Sequence, residues 1–132
     1  MFITPRVEVN KTIKDGRTPL YMASENNHTN ITQLLLDAGA DANIANEDGI
    51  TPLNRASLWG YEKIVDLLLD AKADPNIESH KEITPLHSAS WKGHEEVVKL
   101  LLDARADKDK VDKDGRTPLY LASREGHEKI VD

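Results

Sequence analysis

The chain has 132 residues, the size of one domain. Its 23 acidic residues outnumber 17 basic ones for a net charge of −6, and the two signs are interspersed, which argues against nucleic acid as the main partner because phosphate binding requires clustered cations. Cysteine is absent, which excludes a disulfide framework and a thiolate metal site or nucleophile, and no apolar run approaches membrane-spanning length.

At the N-terminus, Met1-Phe2-Ile3 is followed at once by Thr4-Pro5-Arg6, which is no signal-peptide core, so an intracellular, cytoplasmic protein is expected. Thr-Pro-Leu then recurs at Thr18, Thr51, Thr84 and Thr117, always 33 residues apart. A fixed period of this size marks a stack of supersecondary units. An aromatic content of 5% is thin for a globular core but suits an array built on Leu, Ile, Val and Ala.

Shifted by one period of 33 residues, Glu8-Val9-Asn10 falls on Asp41-Ala42-Asn43 and Phe2-Ile3 on Leu35-Leu36. Residues 1–14 therefore read as the tail of a preceding unit, with a disordered N-terminus as the alternative. The first unit, 15–47, carries Asn27 where later units have Gly60, Gly93 and Gly126, and Asn is the side chain that best tolerates a left-handed link. Thr29-Asn30 and Thr32-Gln33 are poorer helix formers than their counterparts, so this unit is expected to be less rigid.

The second unit, 48–80, is the clearest copy. Asp48-Gly49 signals a turn, Thr51 an N-cap and Pro52 the first helical position. The helix they open ends at Gly60, and small Ala56 and Ser57 in its middle permit close approach of a neighbour. A second helix is predicted from about Tyr61 to Ala71, with Glu62 favoured by the helix dipole and Ile64, Val65, Leu67, Leu68 and Leu69 on a broad apolar face. A helix pair this small cannot bury that face alone, whereas stacked copies can.

In the third unit, 81–113, Lys81-Glu82 replaces the Asp-Gly turn, which predicts a different loop tip. Gly39, read as a helix-stop residue, becomes Lys72 and Arg105 in later units, at a cost of about 1 kcal/mol each if positive φ is required. The fourth unit, 114–132, stops before its Leu triplet. The simplest expectation is a piece of a longer array, with a fraying end or end-to-end pairing as the alternatives.

The full pattern, D-G-x-T-P-L-x-x-A-S-x-x-G-x-x-x-I-V-x-L-L-L-D-A-x-A-D-x-N, resembles the ankyrin repeat over about nine tenths of the chain. The resemblance implies an all-α solenoid of antiparallel helix pairs with projecting hairpin-like loops, whose concave side and loop tips bind other proteins. It also implies where that surface lies: at the residue before each Thr-Pro and the two before the inter-helix Gly. Here these are Arg17, Glu25 and Asn26; Ile50, Leu58 and Trp59; Ile83, Trp91 and Lys92; and Arg116, Arg124 and Glu125.

The middle of this surface is apolar and aromatic and its flanks are charged, the composition of a hot spot with a polar rim. The expected partner-binding residues are therefore Ile50, Leu58, Trp59, Ile83 and Trp91, with Arg17, Arg116 and Arg124 steering an acidic rim and Arg55 adding a central cation. The two indoles, 32 residues apart, either line one exposed patch or fold back as core; the resemblance favours exposure.

His28, His94 and His127 form one repeat column with Tyr61, and column-mates at helix-packing distance are too far apart to share a zinc ion. The resemblance implies a structural hydrogen-bonding role for them, and a loop-tying role for His87, whose column holds Tyr21, Asn54 and Tyr120. Ser24, Ser57, Ser90 and Ser123 read as small packing residues rather than nucleophiles.

No catalytic constellation, metal cluster or phosphate loop stands out, so the expectation is no enzyme, no cofactor, no small-molecule substrate and no membrane or nucleic-acid partner. A monomer that binds a protein is expected, with spacer repeats from a longer scaffold as the rival. Asn43 and Asn76, with Leu35 and Leu68 eight residues upstream, match the context in which ankyrin loop asparagines are hydroxylated.

Overall fold

The computed structural model describes residues 8–131; Phe2 and Ile3, and with them their proposed match to Leu35 and Leu36, lie outside that range. Among the described residues there are eight helices and no strands: α1 (Pro19–Glu25), α2 (Thr29–Asp37), α3 (Pro52–Trp59), α4 (Glu62–Asp70), α5 (Pro85–Lys92), α6 (Glu95–Asp103), α7 (Pro118–Glu125) and α8 (Glu128–Val131). They pair in order, and the pairs stack so that α1, α3, α5 and α7 form one row and α2, α4, α6 and α8 the other.

Each first-row helix begins in the same way. Thr18, Thr51, Thr84 and Thr117 sit in extended backbone, and each hydroxyl accepts the N–H of the residue three positions on. The proline that follows gives up a donor the first turn does not use. The row packs tightly because its contact positions are small: Ala56 and Ala89 are wholly buried.

Three of the four first-row helices end on a left-handed glycine, Gly60, Gly93 or Gly126. At two of these, space is as decisive as φ. A Cβ on Gly60 would stand 2.5 Å from His94 Nδ1, and one on Gly93 would stand 2.6 Å from His127 Nδ1. Asn27 takes the same turn at φ 59, and there the next unit presents Tyr61 instead of histidine.

The core lies between the rows and is fullest in the middle. Ile64, Val65 and Leu68 of α4 and Val97, Val98 and Leu101 of α6 are buried against Leu53 and Leu86. Each of α2, α4 and α6 closes on a residue with positive φ, Gly39, Lys72 or Arg105, whose N–H and that of the next residue return to the last turn. The strain foreseen at Lys72 and Arg105 is therefore present.

The loop tip of the third unit corrects a sequence expectation. Glu82 adopts φ 62 and its N–H reaches the Ser79 carbonyl at 2.8 Å, as Gly49 N–H reaches Asn46 at 3.0 Å. The tip keeps the common fold because neighbouring tips are bonded to one another. Glu47 N–H donates to Asp15 O, His80 N–H to Asp48 O and Lys113 N–H to Lys81 O, at 2.8, 3.0 and 3.2 Å. A second ladder runs through side chains: Asn10, Asn43 and Asn76 each accept the backbone N–H of the aspartate 31 residues on, at 2.7–2.8 Å.

Candidate binding groove

From the second unit onward, each loop that borders the first row is folded around one short polar side chain. Asn46 Oδ1 accepts the N–H groups of Asp48 and Ile50; Ser79 Oγ accepts those of Lys81 and Ile83; Asp112 Oδ1 accepts those of Asp114 and Arg116. In the first unit that position is Ile13, and Asp15 takes the Arg17 N–H instead. These bonds fix the residue before each Thr-Pro, and so aim Ile50, Ile83 and Arg116.

A second set of bonds ties each loop to the preceding helix. Asn54 Nδ2 donates to the Ile83 carbonyl and His87 Nε2 to the Arg116 carbonyl, both at 2.9 Å. The His87 ring is only 1% exposed, and its Nδ1 accepts the Thr84 N–H at 3.1 Å. With a fixed donor on one nitrogen and a carbonyl on the other, the ring is the neutral Nε2–H tautomer. Burial holds its pKa below 6.5, against the pull of the Arg116 carbonyl and the Asp112 charge.

Asp112 is also buried. Burial pushes its pKa up, but hydrogen bonds from the Arg116 backbone and guanidinium and from the Asp114 N–H outweigh it, and the carboxyl stays below its usual range.

Along this face runs a groove of about 340 Å³. Ile50, Leu58, Ile83, Trp91 and Leu121 supply its apolar lining, and Arg55, Arg116 and Arg124 its cations. Seven of the nine residues nominated from sequence are thus gathered at one groove, while Arg17 and Trp59 are not among its lining.

Both indoles are exposed, Trp59 at 48% and Trp91 at 40%, but they do not share the groove. Trp91 stands in the column of Leu58 and Arg124, which faces it; Trp59 is one residue further round its helix, in the column of Lys92 and Glu125. Trp91 Nε1 donates to Glu125 Oε1 at 2.9 Å, and Lys92 Nζ lies 4.5 Å from the ring centroid, so the indole is held by its own neighbours.

The arginines differ in how they are paired. Arg17 meets Asp15 at 2.6 Å, and Arg116 meets Asp112 at 2.8 Å and Asp114 at 3.3 Å. Arg124 lies 3.5 Å from Glu125, while Arg55 Nε donates to a neutral group, the Tyr21 hydroxyl, at 3.0 Å.

His94 and His127 bond the carbonyls of Leu58 and Trp91 across the repeat junction, at 3.0 and 2.9 Å. The loop-folding column of Asn46, Ser79 and Asp112 escaped the sequence reading. Its signal was a short polar residue five positions before each capping threonine from the second unit onward, the chemistry of side-chain-closed turns.

Capped helix pairs stacked at a constant period, with loops bonded into a continuous edge, define a helical repeat solenoid. The family model described as ankyrin repeats, in three copies, matches residues 1–79 and 71–132, and the chain belongs to the ankyrin-repeat family. No curated protein matches it. Ankyrin repeats are generally protein–protein interaction modules, and they are typically non-enzymatic.

Proposed function

We propose that this chain is a non-enzymatic module that binds a protein partner along the first-row groove. The partner's apolar or aromatic segment lies against Ile50, Leu58, Ile83 and Trp91, with Arg55, Arg116 and Arg124 at the margins. Trp59 and Arg17, off the groove, are outer contacts.

The observation that carries this reading is Trp91: a large aromatic left two-fifths exposed, anchored at its rim by Glu125 and Lys92, beside an apolar groove. Such pre-positioned aromatics dominate interface energetics. Replacing Trp91 by Ala is expected to leave the helical signal and melting temperature near wild type while weakening a genuine partner by about 2 kcal/mol or more. Unchanged affinity, measured by calorimetry, would remove the site.

Residues 1–14 are read as the tail of a preceding unit, because Asn10 accepts the Asp41 N–H as Asn43 accepts that of Asp74. Units at 15–47, 48–80, 81–113 and 114–132 follow, in a monomeric, cytoplasmic setting. A spacer role within a longer scaffold is the second reading. It is favoured by the two hydrogen-bonded ladders, which tie each unit to the next, and it predicts that the groove recovers no ligand.

A further inference from the structure

The groove concentrates positive charge on an acidic chain. Its lining holds three guanidinium groups and one carboxylate, Asp112, which is already engaged by Arg116. Arg55 is half-buried, donates to a neutral hydroxyl, and among the described residues has no carboxylate within ion-pair distance. A guanidinium partly withdrawn from water and bonded only to a neutral acceptor gains a charge-assisted bond from a carboxylate. At the other end of the groove, Arg124 is held only loosely by Glu125, which also receives the Trp91 N–H.

We infer that the groove takes an extended segment of a partner protein in which a bulky apolar side chain stands between two carboxylate side chains, one meeting Arg55 and the other Arg124. This rests on the groove being the binding surface. The spacing follows from the repeat. Arg55 and Arg124 belong to helices two units apart, about 16–20 Å at the usual helix-packing distance. Extended chain rises about 3.3 Å per residue, so the two acids are about five or six residues apart. The apolar residue between them meets Ile83 and Trp91 at the centre of the groove.

The test is selection from a library of random 12-residue peptides displayed on phage, using the full chain, Arg55→Lys, Arg55→Met and Trp91→Ala. Methionine already occupies the Arg55 column at Met22, so Arg55→Met suits the helix; thermal melts check each variant. Wild type and Arg55→Lys are expected to enrich Asp or Glu on both sides of a bulky apolar residue. A synthetic peptide of that sequence should bind Arg55→Met at least about ten-fold more weakly, with affinity falling as salt rises. Trp91-dependent peptides that lack carboxylates, or that bind Arg55→Met as well as wild type, overturn the charge assignment and leave the groove standing. Absence of any Trp91-dependent peptide overturns both.

Discussion

The second and third units solve the same problem with different side chains. Asn54 and His87 occupy one repeat position and each holds the carbonyl of the following loop at 2.9 Å. Asparagine does so with an amide that never titrates, and its Oδ1 takes the Ser88 hydroxyl at 2.6 Å. Histidine does so with a buried ring whose second nitrogen closes a capping box on Thr84. In these two units both side chains bring a donor to the same point in space; the choice of donor decides whether the junction responds to acid.

Breaking the position altogether has the largest expected effect. His87→Ala leaves the Thr84 N–H and the Arg116 carbonyl without their partner and opens a cavity, and about 3 kcal/mol of stability should be lost. Chemical denaturation measures it, and a loss below about 1 kcal/mol would mean the loop is held by its own Asp112 turn. Asn54→Ala should cost somewhat less, about 2 kcal/mol, since asparagine fills less volume and leaves the cap of α3 intact.

Exchanging one solution for the other sharpens the contrast. The folded-state pKa of His87 lies below the unfolded value of 6.5, so as pH falls past 6.5 the unfolded chain takes up the proton first. The stability this ring contributes is present above pH 6.5 and is lost progressively as the pH falls toward the lowered folded value. His87→Asn should retain the Arg116 bond and flatten the stability profile across that window. Asp112 has the same sign in a lower window, its stabilisation being lost only below pH 3.8, so the two groups separate in a pH series of melts. A profile for His87→Asn as steep as wild type between pH 6.5 and 5 would place the acid sensitivity elsewhere.

The same comparison shows what was legible in the residues. The period, the Thr-Pro caps and the glycine stops are local signals, and each fixed an element. The groove lining was legible because a column that repeats must face one way. Three features that depend on tertiary placement were not. That Glu82 keeps the fold of Gly49 follows from loop-to-loop bonds between units, which outweigh one residue's distaste for positive φ. That Trp59 stays off the groove follows from one residue of helical rotation. The compensation of Arg17 and Arg116 by Asp15, Asp112 and Asp114 depends on side-chain placement, which spacing does not give.

Smaller effects are expected where the third unit departs from the second without changing the backbone. Glu82→Gly relieves a left-handed side chain worth about 1–2 kcal/mol but adds freedom to the unfolded chain worth about 0.4–1 kcal/mol. A net gain of about 0.5–1 kcal/mol should appear in the melt. Lys72→Gly and Arg105→Gly should behave alike, since both stand where Gly39 does and both have positive φ.

The smallest expected effect concerns the serine column. Ser57 is wholly buried and its hydroxyl has no hydrogen-bond partner, whereas its neighbour in the first row, Ser88, satisfies its own on Asn54. A buried hydroxyl without a partner carries a desolvation cost that a methyl group does not, and alanine is the better helix former. Ser57→Ala should therefore raise stability, by about 0.5 kcal/mol, while Ser88→Ala lowers it by about 1 kcal/mol, because that change strips Asn54 Oδ1 of its donor. Opposite signs at two neighbouring serines would tie the role of the Ser57 column to packing volume; a loss at Ser57 as large as that at Ser88 would mean its hydroxyl bonds a partner in solution.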